Sequence, residues 1–235
     1  MDGFVDLHCH ILPGVDDGAK DMVDALALID MARADGTAAL VLTPHYRGRY
    51  RENTPGMLRE VLTALQKKTP RMELYLANEA GYERELTDKL AEGRVLTING
   101  SRYVLLELPM DIDPAQTLSA VREVADQAFI PILAHVERYD VFLRNRGLID
   151  RVLDMGALIQ INADSVLGQQ GFAAKRFCHW LLKSRRAHFV ASDSHDLKYR
   201  PPKLRECCEY VTKKYGEEYA AALFRENARV VLAGE

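Results

Sequence analysis

"VDLHCHILPGVDDG" (residues 5–18) places two histidines, three aspartates and a Pro-Gly turn in the first strand-like segment of the chain. Side chains alternate faces along a strand, so His8 and His10 point the same way with Asp6, while Leu7 and Cys9 point the other way. That spacing presents two imidazoles to one ion. The turn that follows folds back over the strand end and brings Asp17 there. Asp16 stands beside it, as the alternative carboxylate or as a helix cap, and spacing alone does not separate the two. Whether other strands end the same way decides the fold.

Strand-like runs recur at "FVDLH" (4–8), "AALVLT" (38–43), "ELYLAN" (73–78), "YVLLEL" (103–108), "IPILAH" (130–135), "ALIQIN" (157–162) and "HFVAS" (188–192). Helical patterns lie between them, such as "DMVDALALIDMARADG", apolar at Met22, Leu26, Ile29 and Ala32 with Gly36 as the stop. "TPGMLREVLTALQKK" and "PAQTLSAVREVADQA" share that spacing. Seven βα-like units without a break predict an α/β fold, a distorted (β/α)7 TIM-like barrel, with an open doubly wound sheet as the alternative. No Pro- or Ser-rich linker interrupts the chain, so residues 1–235 read as a single domain.

The strand ends carry ligand-type residues: His45 in "LTPH", Glu79 after "ELYLAN", Glu107 in "LLELP", His135 in "LAHVER", and Asp193 and His195 in "ASDSHD". One polar strand end is ordinary, but six of seven ending in His, Glu or Asp is not. In α/β barrels the C-terminal mouth holds the active site, because the βα loops converge there. His188 opens a strand at the opposite mouth and His179 lies in a helical pattern, so neither joins the set. The candidates are His8, His10, Asp17, His45, Glu79, Glu107, His135, Asp193 and His195. Nine ligands exceed what one ion takes. Their four carboxylates neutralise two divalent ions, and a third leaves positive charge for a hydroxide and a phosphate. Three metals are therefore expected, with two as the alternative.

Composition narrows the classes. At 235 residues and 48% hydrophobic content the chain can bury one sizeable core. A net charge of −3 argues against nucleic-acid binding, and "KSRR" (183–186) reads as a solvated helix end. No run reaches a membrane span and no signal-peptide layout opens the sequence, so a cytoplasmic location is expected. Of Cys9, Cys178, Cys207 and Cys208, none has an arginine at the spacing a thiol phosphatase needs. Arg138 in "HVERY" and Arg200 in "SHDLKYR" suit a phosphate clamp. Phosphoester hydrolysis by direct attack follows, ahead of amide hydrolysis, which commonly uses a carbamylated lysine that no strand end here supplies. "YRGRYREN" (46–53) adds Arg47, Arg49 and Arg51, expected to guide an acidic or phosphorylated peptide.

"DLHCHILPGVDDG", "LTPHY", "LLELP", "LAHVERY" and "SDSHD" together resemble the PHP (polymerase and histidinol phosphatase) superfamily, and within it the CpsB/CapC branch of bacterial protein-tyrosine phosphatases. The likeness runs from residue 6 to about residue 200. It implies a seven-stranded PHP barrel and a trinuclear site, usually manganese-activated, with iron or zinc as alternatives. Carried across, His8, His10 and Asp193 would hold one metal, Glu107 and His135 a second, and Asp17, His45 and His195 a third. Glu79 matches the motif carboxylate near the second pair, although "NEAGYE" replaces the more usual GQE-type stretch; the bridging role stays open between Glu79 and Glu107. Arg138 and Arg200 match the catalytic arginines. The implied partner is a bacterial tyrosine kinase controlling capsule or exopolysaccharide synthesis. A small-molecule phosphoesterase such as histidinol-phosphate phosphatase is the alternative, and a scaffold with a decayed site is disfavoured by the complete ligand set.

Overall fold

The computed structural model describes residues 3–235. All seven strand-like runs form strands, and two short strands join them. In chain order they are Phe4–Cys9 (β1), Thr37–Leu42 (β2), His45–Tyr46 (β3), Glu73–Leu76 (β4), Glu79–Gly81 (β5), Tyr103–Glu107 (β6), Ile130–Leu133 (β7), Leu158–Asn162 (β8) and Phe189–Ala191 (β9). The extra pair arises from matched breaks. Pro44 has no N–H for the ladder after β2, and Asn78 after β4 bonds Pro44 O and Leu96 N instead. Pairing then resumes with His45 opposite Glu79.

Every pairing is parallel. The orders β1-β2-β4 and β3-β5-β6-β7-β8-β9 join because β3 extends β2 and β5 extends β4. The curled sheet meets itself at β9 and β1 through an isolated Cys9–Ser194 bridge, with His10 N donating to Ser194 O and Asp193 N to His8 O. The result is a distorted barrel of seven strand positions with one thinly bonded seam, not an open sheet.

Apolar residues at alternate strand positions separate inside from outside. Val5, Leu7, Ala39, Val41, Leu105, Ile132 and Phe189 form the enclosed cluster, and Val231 and Leu232 pack onto it. Leu40, Leu42, Leu106, Leu133, Ile159 and Ile161 face the outer helices. The three expected helices are present at Met22–Ala34, Pro55–Gln66 and Pro114–Asp126, with Asp21, Thr54 and Asp113 as N-caps. "KSRR" ends the helix Phe172–Lys183, where Arg186 Nε bonds Asp150.

Asp6 departs from expectation. One extra residue of β1 between Asp6 and Cys9 makes a bulge, so strict alternation fails there. Leu7 joins the interior with Val5, while Asp6 bonds the Ser192 hydroxyl and N–H instead of sharing the face of His8 and His10.

Candidate metal centre

The C-terminal end of the barrel gathers all nine candidate side chains. His8 and His10 come from β1 and the residues after it, His45 and Glu79 open β3 and β5, and Glu107 closes β6. His135 follows β7, and Asp193 and His195 follow β9. His135 and Asp193 have left-handed backbones, φ 35° and 51°, which non-glycine residues keep only when their surroundings hold them. Eight of the nine are buried, while Asp17, half exposed, marks the entrance. Its turn depends on Gly18, where a Cβ would lie 1.9 Å from His10 O.

His10, Asp17, His45 and His195 offer ligand atoms within 4.8 Å of one another; so do His8, His135 and Asp193, then His8, His10 and Glu79, then His45, Glu79 and Glu107. Glu79 is the hub. Its oxygens lie 2.7 Å from His135 Nε2, 2.6 Å from His45 Nδ1 and 3.4 Å from the Nε2 atoms of His8 and His10. Glu107 sits with His45 and Glu79, not beside His135, with its Oε2 3.2 Å from Arg47 Nε. His179 and His188 stand apart: His179 contacts Val166 O and Tyr210, and His188 Nδ1 accepts from Ile159 N.

The donors fit divalent ions. Imidazole nitrogen and carboxylate oxygen suit zinc, manganese and iron. His45 Nδ1, Glu79 Oε2, Glu107 Oε2 and His135 Nδ1 are buried without a properly directed hydrogen bond. The 2.6 Å approach of His45 Nδ1 to Glu79 Oε2 is thus close contact rather than a well-aligned bond. His8 Nε2 faces His10 Nε2 at 3.1 Å, where two lone pairs would repel without positive charge between them.

The electrostatics couple the same side chains. Burial would raise the Glu79 carboxyl, but His8, His10, His135 and His45 around it hold it well below the usual range. Burial, then the Glu79 charge, pushes Glu107 up to about 7. His45 is raised to about 9, the carboxylates of Asp17 and Glu79 outweighing its burial.

Asp16 turns out to cap no helix, since Asp21 does. It accepts from His10 Nδ1 at 2.7 Å and from the N–H groups of His45 and Gly18, so it orients the ligand shell from behind. Sequence spacing put Asp16 in view without revealing that role. Arg138 and Arg200 both reach Asp193 Oδ2 at the rim. The loop arginines divide: Arg47 turns inward, Arg49 lies over the Tyr50 ring, and Arg51 pairs with Glu83. Burial pushes the Cys9, Cys178 and Cys207 thiols well up, which removes thiolate chemistry from them.

A parallel α/β barrel whose C-terminal mouth gathers His, Asp and Glu groups able to hold metal ions is a protein of the metal-centre class. More narrowly, the chain belongs to the CpsB/CapC family of capsular polysaccharide synthesis, whose model matches residues 4–233. It is 32% identical to the tyrosine-protein phosphatase YwqE of Bacillus subtilis, over 98% of this chain and 92% of that protein. It is 30% identical to the tyrosine-protein phosphatase CpsB of Streptococcus agalactiae, over 97% and 98%. A crystal structure from work on YwqE of Bacillus subtilis and CpsB of Streptococcus pneumoniae, described as unique metal-dependent tyrosine phosphatases, superposes with a TM-score of 0.91. That match is 31% identical and covers 98% of this chain and 95% of the other.

Proposed function

We propose that this chain is a metal-dependent protein-tyrosine phosphatase, acting as one domain over residues 1–235. Its substrate is a phosphotyrosyl protein, a bacterial tyrosine kinase of capsule or exopolysaccharide synthesis, met in the cytoplasm. The convergence of nine His, Asp and Glu side chains beside two rim arginines carries the reading, and relatives named as tyrosine phosphatases over nearly their full length supply the substrate class. The small-molecule alternative has no comparable support. No helix among the described residues is long and apolar enough to cross a membrane.

Three manganese ions are the proposed complement. His8, His135 and Asp193 would hold one, His10, Asp17, His45 and His195 another, and Glu79 and Glu107 would serve the third beside His45. Glu79 is the better bridge, because its carboxylate reaches four imidazoles. Such ions, when bound, lower the pKa of water and draw charge from phosphoryl oxygens. Arg138 and Arg200 then grip the phosphoryl group from the Asp193 side, since guanidinium binds phosphate oxygens in pairs. Asp16 keeps His10 aimed inward. A phenol leaving group, with a pKa of about 10, needs less protonation than an alkyl alcohol.

Phosphate release decides it. Metal-stripped protein reloaded with Mn²⁺ is expected to prefer a phosphotyrosyl peptide to histidinol phosphate at equal concentration, and chelation should abolish the activity. A preference for histidinol phosphate would move the enzyme to small-molecule chemistry.

A further inference from the structure

β8 supplies no ligand-type side chain to the mouth, yet it lines the cluster. Gln160 and Asn162, two residues apart, are buried at 0% and 3% exposure, while Ile159 and Ile161 between and beside them pack outward. One backbone group sets the direction of every bond they make. His135 N–H can only donate, and it donates to Gln160 Oε1 at 2.8 Å. The same oxygen lies 3.1 Å from His8 Nδ1. An acceptor there places the proton on Nδ1 and leaves a lone pair on His8 Nε2, which faces the cluster. The other end of the amide donates from Nε2 to Asn162 Oδ1 at 2.8 Å. That orients the second amide, so Asn162 Nδ2 donates to Asp193 Oδ2 at 2.9 Å. Glu137 Oε1 accepts from Asn162 N at 2.9 Å and anchors the chain of bonds.

We infer that Gln160 and Asn162 are positioning residues of the metal centre: one amide relay on the ligand-free strand fixes the tautomer of His8 and restrains His135 and Asp193. The two restrained residues are the pair of candidate ligands with left-handed backbones, where a ligand most needs an external hold. The relay therefore ties together residues of β1, the β7 end and the β9 end that form one candidate ligand group. Glutamine suits the place because its oxygen accepts twice and its nitrogen still donates, without adding another negative charge to the cluster. The inference rests on the metal-centre reading above.

The test is Mn²⁺ binding to the metal-stripped full chain by calorimetry, with thermal unfolding of each stripped protein as a control. Saturable binding by wild type, with its stoichiometry reduced in His8→Ala, sustains the metal-centre reading; wild-type protein that binds no Mn²⁺ would remove that reading and the relay with it. With wild-type binding in hand, Gln160→Met, which keeps the length and loses both polar atoms, is expected to weaken affinity about 10- to 100-fold, with kcat falling alongside. Gln160→Glu keeps the acceptor for His8 and His135 but loses the donor to Asn162, so it should recover only part of the affinity. Asn162→Ala, which removes the donor to Asp193, should cost about tenfold, and it answers the question should Gln160→Met fail to fold. Unchanged affinity in Gln160→Met or Asn162→Ala overturns the relay alone. So do equal losses in Gln160→Met and Gln160→Glu, because an acceptor restored to His8 and His135 would then have restored nothing.

Discussion

Arg47 approaches the cluster at Glu107 and His45, whereas Arg138 and Arg200 approach it at Asp193, with Arg47 Nε 3.2 Å from Glu107 and Nη2 3.4 Å from His45 Nε2. Its side chain is half exposed, so the guanidinium is expected to meet a phosphoryl oxygen from that side. Arg49 spends its charge on the Tyr50 ring and Arg51 on Glu83. The three arginines, equivalent in the sequence, should therefore differ in function. Arg47→Ala is expected to raise KM about 10- to 100-fold for a phosphotyrosyl peptide and a small aryl phosphate alike, in line with the ~1.5–3 kcal/mol of a hydrogen bond to a charged group. Arg49→Ala should leave both within about twofold, as exposed charges do. Steady-state kinetics of the single variants check this, and matching effects would return the role to the loop's overall charge. Asp16 and Asp17 show why such distinctions were hard to read: adjacent carboxylates in one turn differ in role through the close Gly18–His10 approach, which no spacing rule contains.

Among the elements, β8 and β9 are joined at their base by a histidine. Ile159 N donates to His188 Nδ1 at 3.1 Å, and His188 N donates to Ile159 O at 2.9 Å. A ring nitrogen that accepts from an amide must be unprotonated, and burial lowers the pKa of this imidazole. With a folded pKa below the unfolded value of about 6.5, the contribution is complete above that pH and is lost as pH falls through the folded pKa. Tm of metal-stripped wild type should therefore fall between pH 7 and 5 more steeply than that of His188→Asn, whose amide oxygen can still accept from Ile159 N. Parallel slopes would sink the assignment. Such elements were legible in the sequence: each of the seven runs became a strand, because apolar stretches bounded by turn and helix signals stand out from their surroundings. β3 and β5 were not, because the breaks at Pro44 and Asn78 detach them from the runs before them. The facing of Asp6 was hidden by a bulge. Gln160 and Asn162 escaped notice because amides are not typical ligands and read as chance polar residues in "ALIQIN".

For the molecule as a whole, the seam between β9 and β1 is where the barrel has least backbone pairing, one isolated bridge against ladders of two or more residue pairs elsewhere. The candidate ligand groups cross that seam: His8 stands with Asp193, and His10 with His195. Bound ions would thus join the two edges that the sheet joins poorly. Chelation should then loosen the protein locally as well as inactivate it. Metal at a thousand times its dissociation constant stabilises by about 4 kcal/mol, and for a chain of this size each kcal/mol moves Tm by about 2–4 °C, so stripping should lower Tm by about 8–16 °C. Amide exchange locates the effect. His10 N and Asp193 N, which bond across the seam, should lose protection on chelation. The amides of β6 and β7, paired over Tyr103–Leu106 and Ile130–Leu133, should keep theirs. A Tm drop accompanied by uniform loss of protection would mean that the ions stabilise the fold only globally, and the seam would have no special dependence on them.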